Sequence, residues 1–235
     1  MRTALTRSRL AGAVAVTPRP LAAYRDMFLL TDDDLLGGPI LDCPAGASPF
    51  GAQVRAMGGE VVSVDPTYAT PEGLVARVAV DVERVGAWQR THLDGFNWDY
   101  LGSPEAMGRM WSAALEGFAA DFHPDGSRYV AAALPRLPFP DNRFALTLSG
   151  FLLFVYPELF GPADLLAALL ELSRVTRGEV RIYPLQSSSG EPYPELPALR
   201  AALEAKGVAT EIRDTGCAYA TTPGSDRMLV CHRTP

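Results

Sequence analysis

The sequence predicts an α/β fold built on an open, mostly parallel sheet, and three stretches of the chain support this prediction. Residues 39–66 contain an apolar strand, a small-residue turn, a short helix and a second apolar strand. Between residues 128 and 184, strand-like runs again alternate with a helical pattern, which implies parallel strands joined by right-handed crossovers. Two further strand-like runs, at 210–214 and 227–232, follow each other without a helix between them. They predict an antiparallel hairpin at the end of the sheet.

The composition is that of a globular protein with a small-molecule partner. The chain has 235 residues, of which 48% are hydrophobic and 20% charged, so one domain with a substantial core is expected. A net charge of −6 argues against a nucleic-acid surface, which needs basic residues. No apolar run approaches the roughly 18 residues that a membrane span needs. The three cysteines form no C-x-x-C motif, which predicts reduced thiols in a cytoplasmic protein without a metal site.

The pattern along the chain indicates a single domain. Residues 1–20 are predicted to be a frayed N-terminal arm, and residues 21–235 a single domain with an insert at about 86–125. Within this insert an aromatic segment, 92–100, is the candidate for facing a substrate. Ser103 is then the expected N-cap of a long amphipathic helix, with proline and an acid in its first turn.

The turn after the first strand and the acid after the second strand predict a nucleoside site. Gly46 and its small neighbours Ala45, Ala47 and Ser48 allow a ligand to approach the backbone at the carboxyl end of the first strand. Asp65 follows about 20 residues later, the usual distance for a carboxylate that accepts hydrogen bonds from ribose hydroxyls. This spacing fits nucleoside binding without selecting one nucleoside.

The glycine content of this turn argues against a dinucleotide. A dinucleotide fingerprint has three glycines as G-x-G-x-x-G, whereas residues 42–48 contain one, and Pro44 has no N–H to donate. An NAD-dependent oxidoreductase is therefore a remote alternative, retained because Asp65 would suit its ribose too. No Gly-Lys-Ser or Gly-Lys-Thr occurs in the chain, which excludes a P-loop.

A second motif, Leu-Pro-Phe-Pro-Asp-Asn-Arg-Phe at residues 137–144, connects the chain to a family. Together with the 39–66 block it resembles the class I S-adenosylmethionine-dependent methyltransferases, particularly a small bacterial branch with an L-P-F-P-D-N motif. This resemblance implies a Rossmann-like class I methyltransferase fold, with a seven-stranded sheet and helices on both faces. It also implies S-adenosyl-L-methionine as cofactor and methyl transfer to a small-molecule acceptor.

The resemblance also assigns site residues. In such enzymes the loop after the first strand holds the methionine part of the cofactor, and the acid ending the second strand holds the ribose. Many relatives carry an acid a few residues before the L-P-F motif, where it hydrogen-bonds the adenine amine. Residues 132–136 of this chain contain no acid, so adenine is expected to be held by apolar contacts and backbone groups. The predicted cofactor-binding residues are Tyr24, Arg25, Asp42, Cys43, Pro44, Ala45, Gly46, Ser48, Asp65, Pro66, Ala133, Leu134, Ser149, Gly150 and Phe151.

The sequence defines no catalytic residue, because methyl transfer depends mainly on alignment of the nucleophile with the methyl group. If a general base takes part, the candidates are His92, Tyr100 and Tyr156. Residues 151–156 are expected to begin a helix and, with the arm, to offer a homodimer interface. An alternative function on the same fold is a non-catalytic module that binds S-adenosylmethionine, S-adenosylhomocysteine or a partner protein, which the proline in the first motif and the missing adenine acid suggest.

Overall fold

The structure is a computed structural model that describes residues 14–124 and 126–233. The first thirteen residues of the predicted arm therefore lie outside the described residues, as does Asp125 at the end of the predicted insert.

Seven strands of the described residues form one sheet in the order β3-β2-β1-β4-β5-β7-β6. The strands are β1 (Ile40–Asp42), β2 (Val61–Val64), β3 (Tyr129–Val130), β4 (Phe144–Gly150), β5 (Thr176–Tyr183), β6 (Val208–Asp214) and β7 (Arg227–Arg233). Strands β1 to β5 pair in parallel, and β7 is antiparallel to both β5 and β6. The predicted fold class and its C-terminal hairpin are therefore confirmed.

Some of the helices begin at side-chain caps that the sequence supplies. The Thr31 hydroxyl accepts a hydrogen bond from the Asp34 N–H at 3.1 Å, and the Ser103 hydroxyl accepts one from the Ala106 N–H at 3.1 Å. Such caps satisfy N–H groups that the first turn leaves without partners. The α-helices are α1 (Leu21–Phe28), α2 (Asp32–Leu36), α3 (Phe50–Ala56), α4 (Leu74–Thr91), α5 (Trp98–Leu101), α6 (Pro104–Asp121), α7 (Pro162–Val175) and α8 (Leu196–Glu204).

Apolar clusters cover both faces of the sheet. On one face, buried side chains of α7 and α8 such as Leu169 and Leu203 pack against the strands. On the other face, Phe28 of α1 and Phe50 of α3 do the same. Helices α4 and α6 form a third cluster around Trp111. Central strand β1 is buried along its whole length, as expected for a parallel strand covered on both faces.

One expectation for the fold needs correction. Residues 151–156 form turns and no helix, because Phe151 has a left-handed φ of 54° that a helix does not accommodate. Leu153 and Phe154 are each 1% exposed, so this segment fills the core and offers little apolar surface to a second copy. Residue 86, where the insert was predicted to begin, lies within helix α4.

Candidate active site

The loop after β1 and the acid after β2 meet at the carboxyl edge of the sheet. The Gly46 N–H donates to Asp65 Oδ2 at 2.9 Å, and the Tyr68 hydroxyl donates to the Gly46 carbonyl at 2.6 Å. Gly46 has a φ of 54°, a left-handed value that glycine adopts without the steric cost of a side chain. The structure therefore brings together the two features from which the nucleoside site was predicted.

Asp65 is held in a fixed orientation by its own chain. Its Oδ1 atom accepts hydrogen bonds from the Thr67 N–H at 2.9 Å and the Thr67 hydroxyl at 2.6 Å. The residue is 5% exposed. Since a carboxylate offers about four acceptor sites, Oδ2, which has only the Gly46 N–H, retains capacity for a further donor.

Asp42, at the end of β1, is the most deeply buried acid of the site. Each of its carboxylate oxygens lies 3.1 Å from the Tyr24 hydroxyl, which donates to the pair, and the residue is 1% exposed. Burial raises the pKa of Asp42 well above its usual range; the hydrogen bond from Tyr24 opposes this shift and the nearby charge of Asp65 adds to it. The Tyr24 ring in turn stacks on Phe50 at a centroid distance of 4.2 Å. Asp42 is therefore a structural support beneath the loop.

A small cavity of about 210 Å³, called the cofactor cleft below, opens between these elements. The predicted residues that line it are Tyr24, Pro44, Ala45, Gly46, Asp65, Pro66, Gly150 and Phe151. Residues 14–17 of the predicted arm also line it. The Val16 N–H donates to Asp81 Oδ2 at 3.0 Å and the Ala15 N–H to the Tyr156 hydroxyl at 3.2 Å, so this part of the arm lies over the site.

The other predicted cofactor residues do not line the cavities. Arg25, on α1, pairs with Asp32. Ala133, in the turn after β3, is exposed. Leu134 packs against a core cluster. The remaining buried residues lie beneath the cleft, where burial raises the pKa of the Cys43 thiol well above its usual value. These residues are Asp42, Cys43, Ser48 and Ser149.

A second cavity, of about 720 Å³, adjoins the cofactor cleft and is called the aromatic cavity below. The two share four lining residues, among them Arg19 and Phe151. The aromatic side chains that line the larger cavity are Trp88, His92, Phe96, Trp111, Phe151, Tyr156 and Tyr219. Its volume lies within the range typical of small-molecule pockets, about 300–1,000 Å³.

The three candidate bases have different positions. His92 and Tyr156 line the aromatic cavity, whereas the Tyr100 hydroxyl donates to Asp26 Oδ2 at 2.9 Å and contacts Cys217 Sγ at 3.1 Å. Tyr100 is therefore not placed as a base. Burial raises the pKa of Tyr156, which disfavours the phenolate that would accept a proton. His92 is the better placed of the two.

Arg19 is a site residue that sequence reasoning missed. Its guanidinium lies over the Phe151 ring, with 3.6 Å between the Cζ atom and the ring centroid, and its Nη1 donates to the Thr17 hydroxyl at 2.9 Å. No carboxylate of the described residues lies within ion-pair distance of it. Arg19 stands between Pro18 and Pro20, and the residue before a proline is held extended. This constraint on its backbone is the sequence feature that could have pointed to Arg19.

Comparison with known proteins supports the fold. No family model matches the chain. An uncharacterized protein of the archaeon Methanocaldococcus jannaschii is 28% identical over 174 residues, which cover 72% of this chain and 76% of that protein. The relative is archaeal, so the match does not restrict the chain to the bacterial branch. Among solved structures, the CcbJ methyltransferase from Streptomyces caelestis has a TM-score of 0.51 at 12% identity, covering 91% of this chain and 96% of the other. A TehB-like methyltransferase from Corynebacterium glutamicum has a TM-score of 0.47 at 13% identity, covering 99% of this chain and 95% of the other.

The chain therefore has the class I methyltransferase fold. None of the described helices combines the length and apolar character that crossing a bilayer requires. Within residues 14–124 and 126–233 there is also no cluster of three His, Cys, Asp or Glu side chains able to hold a metal ion.

Proposed function

We propose that this protein transfers the methyl group of S-adenosylmethionine to a small-molecule acceptor. The observation that supports this best is the meeting of the two cavities at Phe151, at the carboxyl edge of a class I sheet. One cavity is bounded by a glycine turn and a ribose-type carboxylate, and the other has room for a separate molecule. Methyl transfer needs two sites that share a boundary.

In this proposal the cofactor occupies the cofactor cleft. Asp65 Oδ2 accepts a hydrogen bond from a ribose hydroxyl through its remaining capacity, and the backbone at Gly46 lies against the methionine part. The cleft of about 210 Å³ is smaller than typical ligand pockets, so residues 14–17 move outward when the cofactor enters. This movement breaks the hydrogen bonds to Asp81 and Tyr156 and disturbs those that Thr17 accepts from Arg19.

The reaction requires no additional reagent. A lone pair of the acceptor attacks the methyl carbon, the carbon–sulfur bond breaks, and its electron pair returns to sulfur, which leaves neutral S-adenosylhomocysteine. The acceptor's proton passes to water or to His92, whose Nδ1 lies 2.9 Å from the Trp88 carbonyl. Alignment of the reactants across the shared boundary supplies most of the rate enhancement, since positioning alone is worth about 7–11 kcal/mol in favourable cases.

The test is calorimetric titration of the wild-type protein with S-adenosylhomocysteine and, separately, with NADH. We expect micromolar binding of S-adenosylhomocysteine and none of NADH. Tight NADH binding would revive the oxidoreductase alternative, and no binding of S-adenosylhomocysteine would refute the proposed cofactor.

A non-catalytic role is the second candidate, and one observation favours it. Donors of the chain itself already occupy three of the roughly four acceptor positions of Asp65, and residues 14–17 cover the cleft, so the site is held together without a ligand. Binding of S-adenosylhomocysteine with no formation of that product from S-adenosylmethionine, across a broad acceptor panel, would support this role.

A further inference from the structure

The aromatic cavity has an unusual concentration of unsatisfied polar groups in its wall. Five of its lining residues each hold a buried polar atom that has no hydrogen-bond partner in the described part of the chain. Native structures contain only a few such atoms per hundred residues. Each of the five is covered by the protein itself, so a molecule bound in the cavity would become its partner after a small shift of the side chain. The atoms are Arg19 Nε, Trp88 Nε1, Gln89 Oε1, Trp111 Nε1 and Ser188 Oγ.

The types of these atoms define the polar pattern of the ligand. The arginine and the two indole nitrogens can only donate, the amide oxygen of Gln89 can only accept, and the Ser188 hydroxyl can do either. Gln89 is 3% exposed and Trp111 2% exposed, so these two groups lie deepest. The complementary molecule is therefore rich in acceptors and carries at least one donor.

The shape of the wall indicates a flat molecule. Trp88 stacks on His92 with a centroid distance of 4.7 Å and meets Phe96 edge-on at 5.4 Å. Aromatic walls of this kind favour planar π systems. The charged side chains that line the cavity are Arg19, Arg90 and Asp94, too few cations for a polyphosphate.

We propose that the acceptor is a planar, acceptor-rich aromatic or heteroaromatic small molecule, held edge-on by Trp88, Gln89 and Trp111. This inference rests on the proposed function where it names the bound molecule as the methyl acceptor. Binding of that molecule in the aromatic cavity does not depend on the cofactor. A ring nitrogen, or an oxygen attached to the ring, is the nucleophile of this molecule. It is presented to the cofactor cleft at Phe151, one of the four residues that both cavities share.

The first test compares planar and non-planar probes. Lumazine and 7-hydroxycoumarin are titrated calorimetrically into the wild-type protein, with cyclohexane-1,2-diol as the aliphatic comparison, each with and without S-adenosylhomocysteine. We expect at least one planar probe to bind at least about tenfold tighter than the diol. Equal affinities, or no binding of either planar probe, would overturn the inference. Because the titrations without S-adenosylhomocysteine stand alone, failure of the cofactor proposal is seen separately.

The second test uses a matched pair of tryptophans. Trp88→Phe keeps an aromatic ring but removes the unsatisfied N–H, whereas Trp98→Phe removes an N–H that already donates to the Leu93 carbonyl at 2.8 Å in a residue outside the cavity lining. We expect Trp88→Phe to weaken the better planar probe about three- to tenfold, the effect of one hydrogen bond. Trp98→Phe should leave it unchanged, and neither should alter S-adenosylhomocysteine affinity. Equal effects of the two substitutions would contradict the assignment.

Discussion

The two cavities differ in how their polar groups are satisfied. Beneath and around the cofactor cleft, Asp42 and Asp65 find donors in Tyr24, Gly46 and Thr67. In the wall of the aromatic cavity, five polar atoms have no partner within the described chain. The two acids of the first region are thus held by donors of the chain itself, although the buried Ser149 Oγ beneath the cleft has no partner among the described residues. The second region concentrates such atoms around one cavity. Substitutions at the cleft should therefore affect stability and cofactor affinity, while those in the cavity should affect only the acceptor.

The largest effect is expected at Asp65. Asp65→Ala removes a carboxylate whose Oδ2 accepts from a ribose hydroxyl in our proposal, and a hydrogen bond to a charged group is worth about 1.5–3 kcal/mol. We predict that S-adenosylhomocysteine affinity falls by about ten- to a hundredfold, measured by calorimetry. Asp65→Asn, which keeps an oxygen for the Gly46 N–H, separates loss of ligand contact from collapse of the loop. A change of less than about threefold in both variants would remove Asp65 from the site.

A large loss of stability is expected at Tyr24. Tyr24→Phe leaves the buried Asp42 carboxyl without its donor, which should lower the free energy of unfolding by about 1–3 kcal/mol. Tyr193→Phe is the matched control, since that hydroxyl lies 3.3 Å from the exposed Glu195 carboxylate. Urea denaturation of both variants measures the difference. Equal midpoints would show that the Tyr24–Asp42 pair does not support the cleft.

Asp42 also predicts a dependence of stability on pH. Its pKa is raised in the folded state, chiefly by burial, so the folded protein binds the proton more tightly than the unfolded chain does. The stabilisation is fully present below the unfolded pKa of about 3.9 and is lost as pH rises through the higher folded pKa. Asp42→Asn should therefore flatten the decline of stability above about pH 4, measured by urea denaturation across pH. If the difference in free energy of unfolding between the wild type and the variant stayed constant with pH, this prediction would be contradicted.

A smaller effect separates two glycines of the cleft. Gly46→Ala places a side chain at a left-handed φ and 3.0 Å from Val16 Cγ1, which should cost about 1–2 kcal/mol. Gly150→Ala meets the Phe28 ring, with Cζ at 3.5 Å and Cε2 at 3.9 Å. These are ordinary contacts, so the substitution should be close to neutral. Thermal unfolding distinguishes them, and a larger loss at Gly150 would reverse our view of which turn is constrained.

The smallest effect is expected at Arg25, which the sequence analysis placed among the cofactor-binding residues. Its guanidinium instead pairs with Asp32 and lies 3.3 Å from the Leu30 carbonyl. Arg25→Ala should leave S-adenosylhomocysteine affinity unchanged in the same calorimetric assay. A marked loss would show that the helix α1 side chain changes partner when the cofactor binds.

The cofactor cleft could be predicted from sequence because its parts are local. Gly46 and Asp65 belong to one strand–turn–helix–strand unit, whose geometry fixes where the turn and the acid meet. The aromatic cavity joins Arg19, Gln89 and Ser188 from distant segments, and neither periodicity nor spacing predicts which distant side chains converge. For the same reason Tyr100 and Ala133, each plausible from its place along the chain, lie outside both cavities.

The most direct test of this account is a crystal structure of the wild-type protein with S-adenosylhomocysteine. We predict a ribose hydroxyl within hydrogen-bond distance of Asp65, residues 14–17 displaced outward, the sulfur facing Phe151 and the aromatic cavity left open. The ligand bound in the aromatic cavity, or its ribose turned away from Asp65, would contradict the assignment of the two cavities.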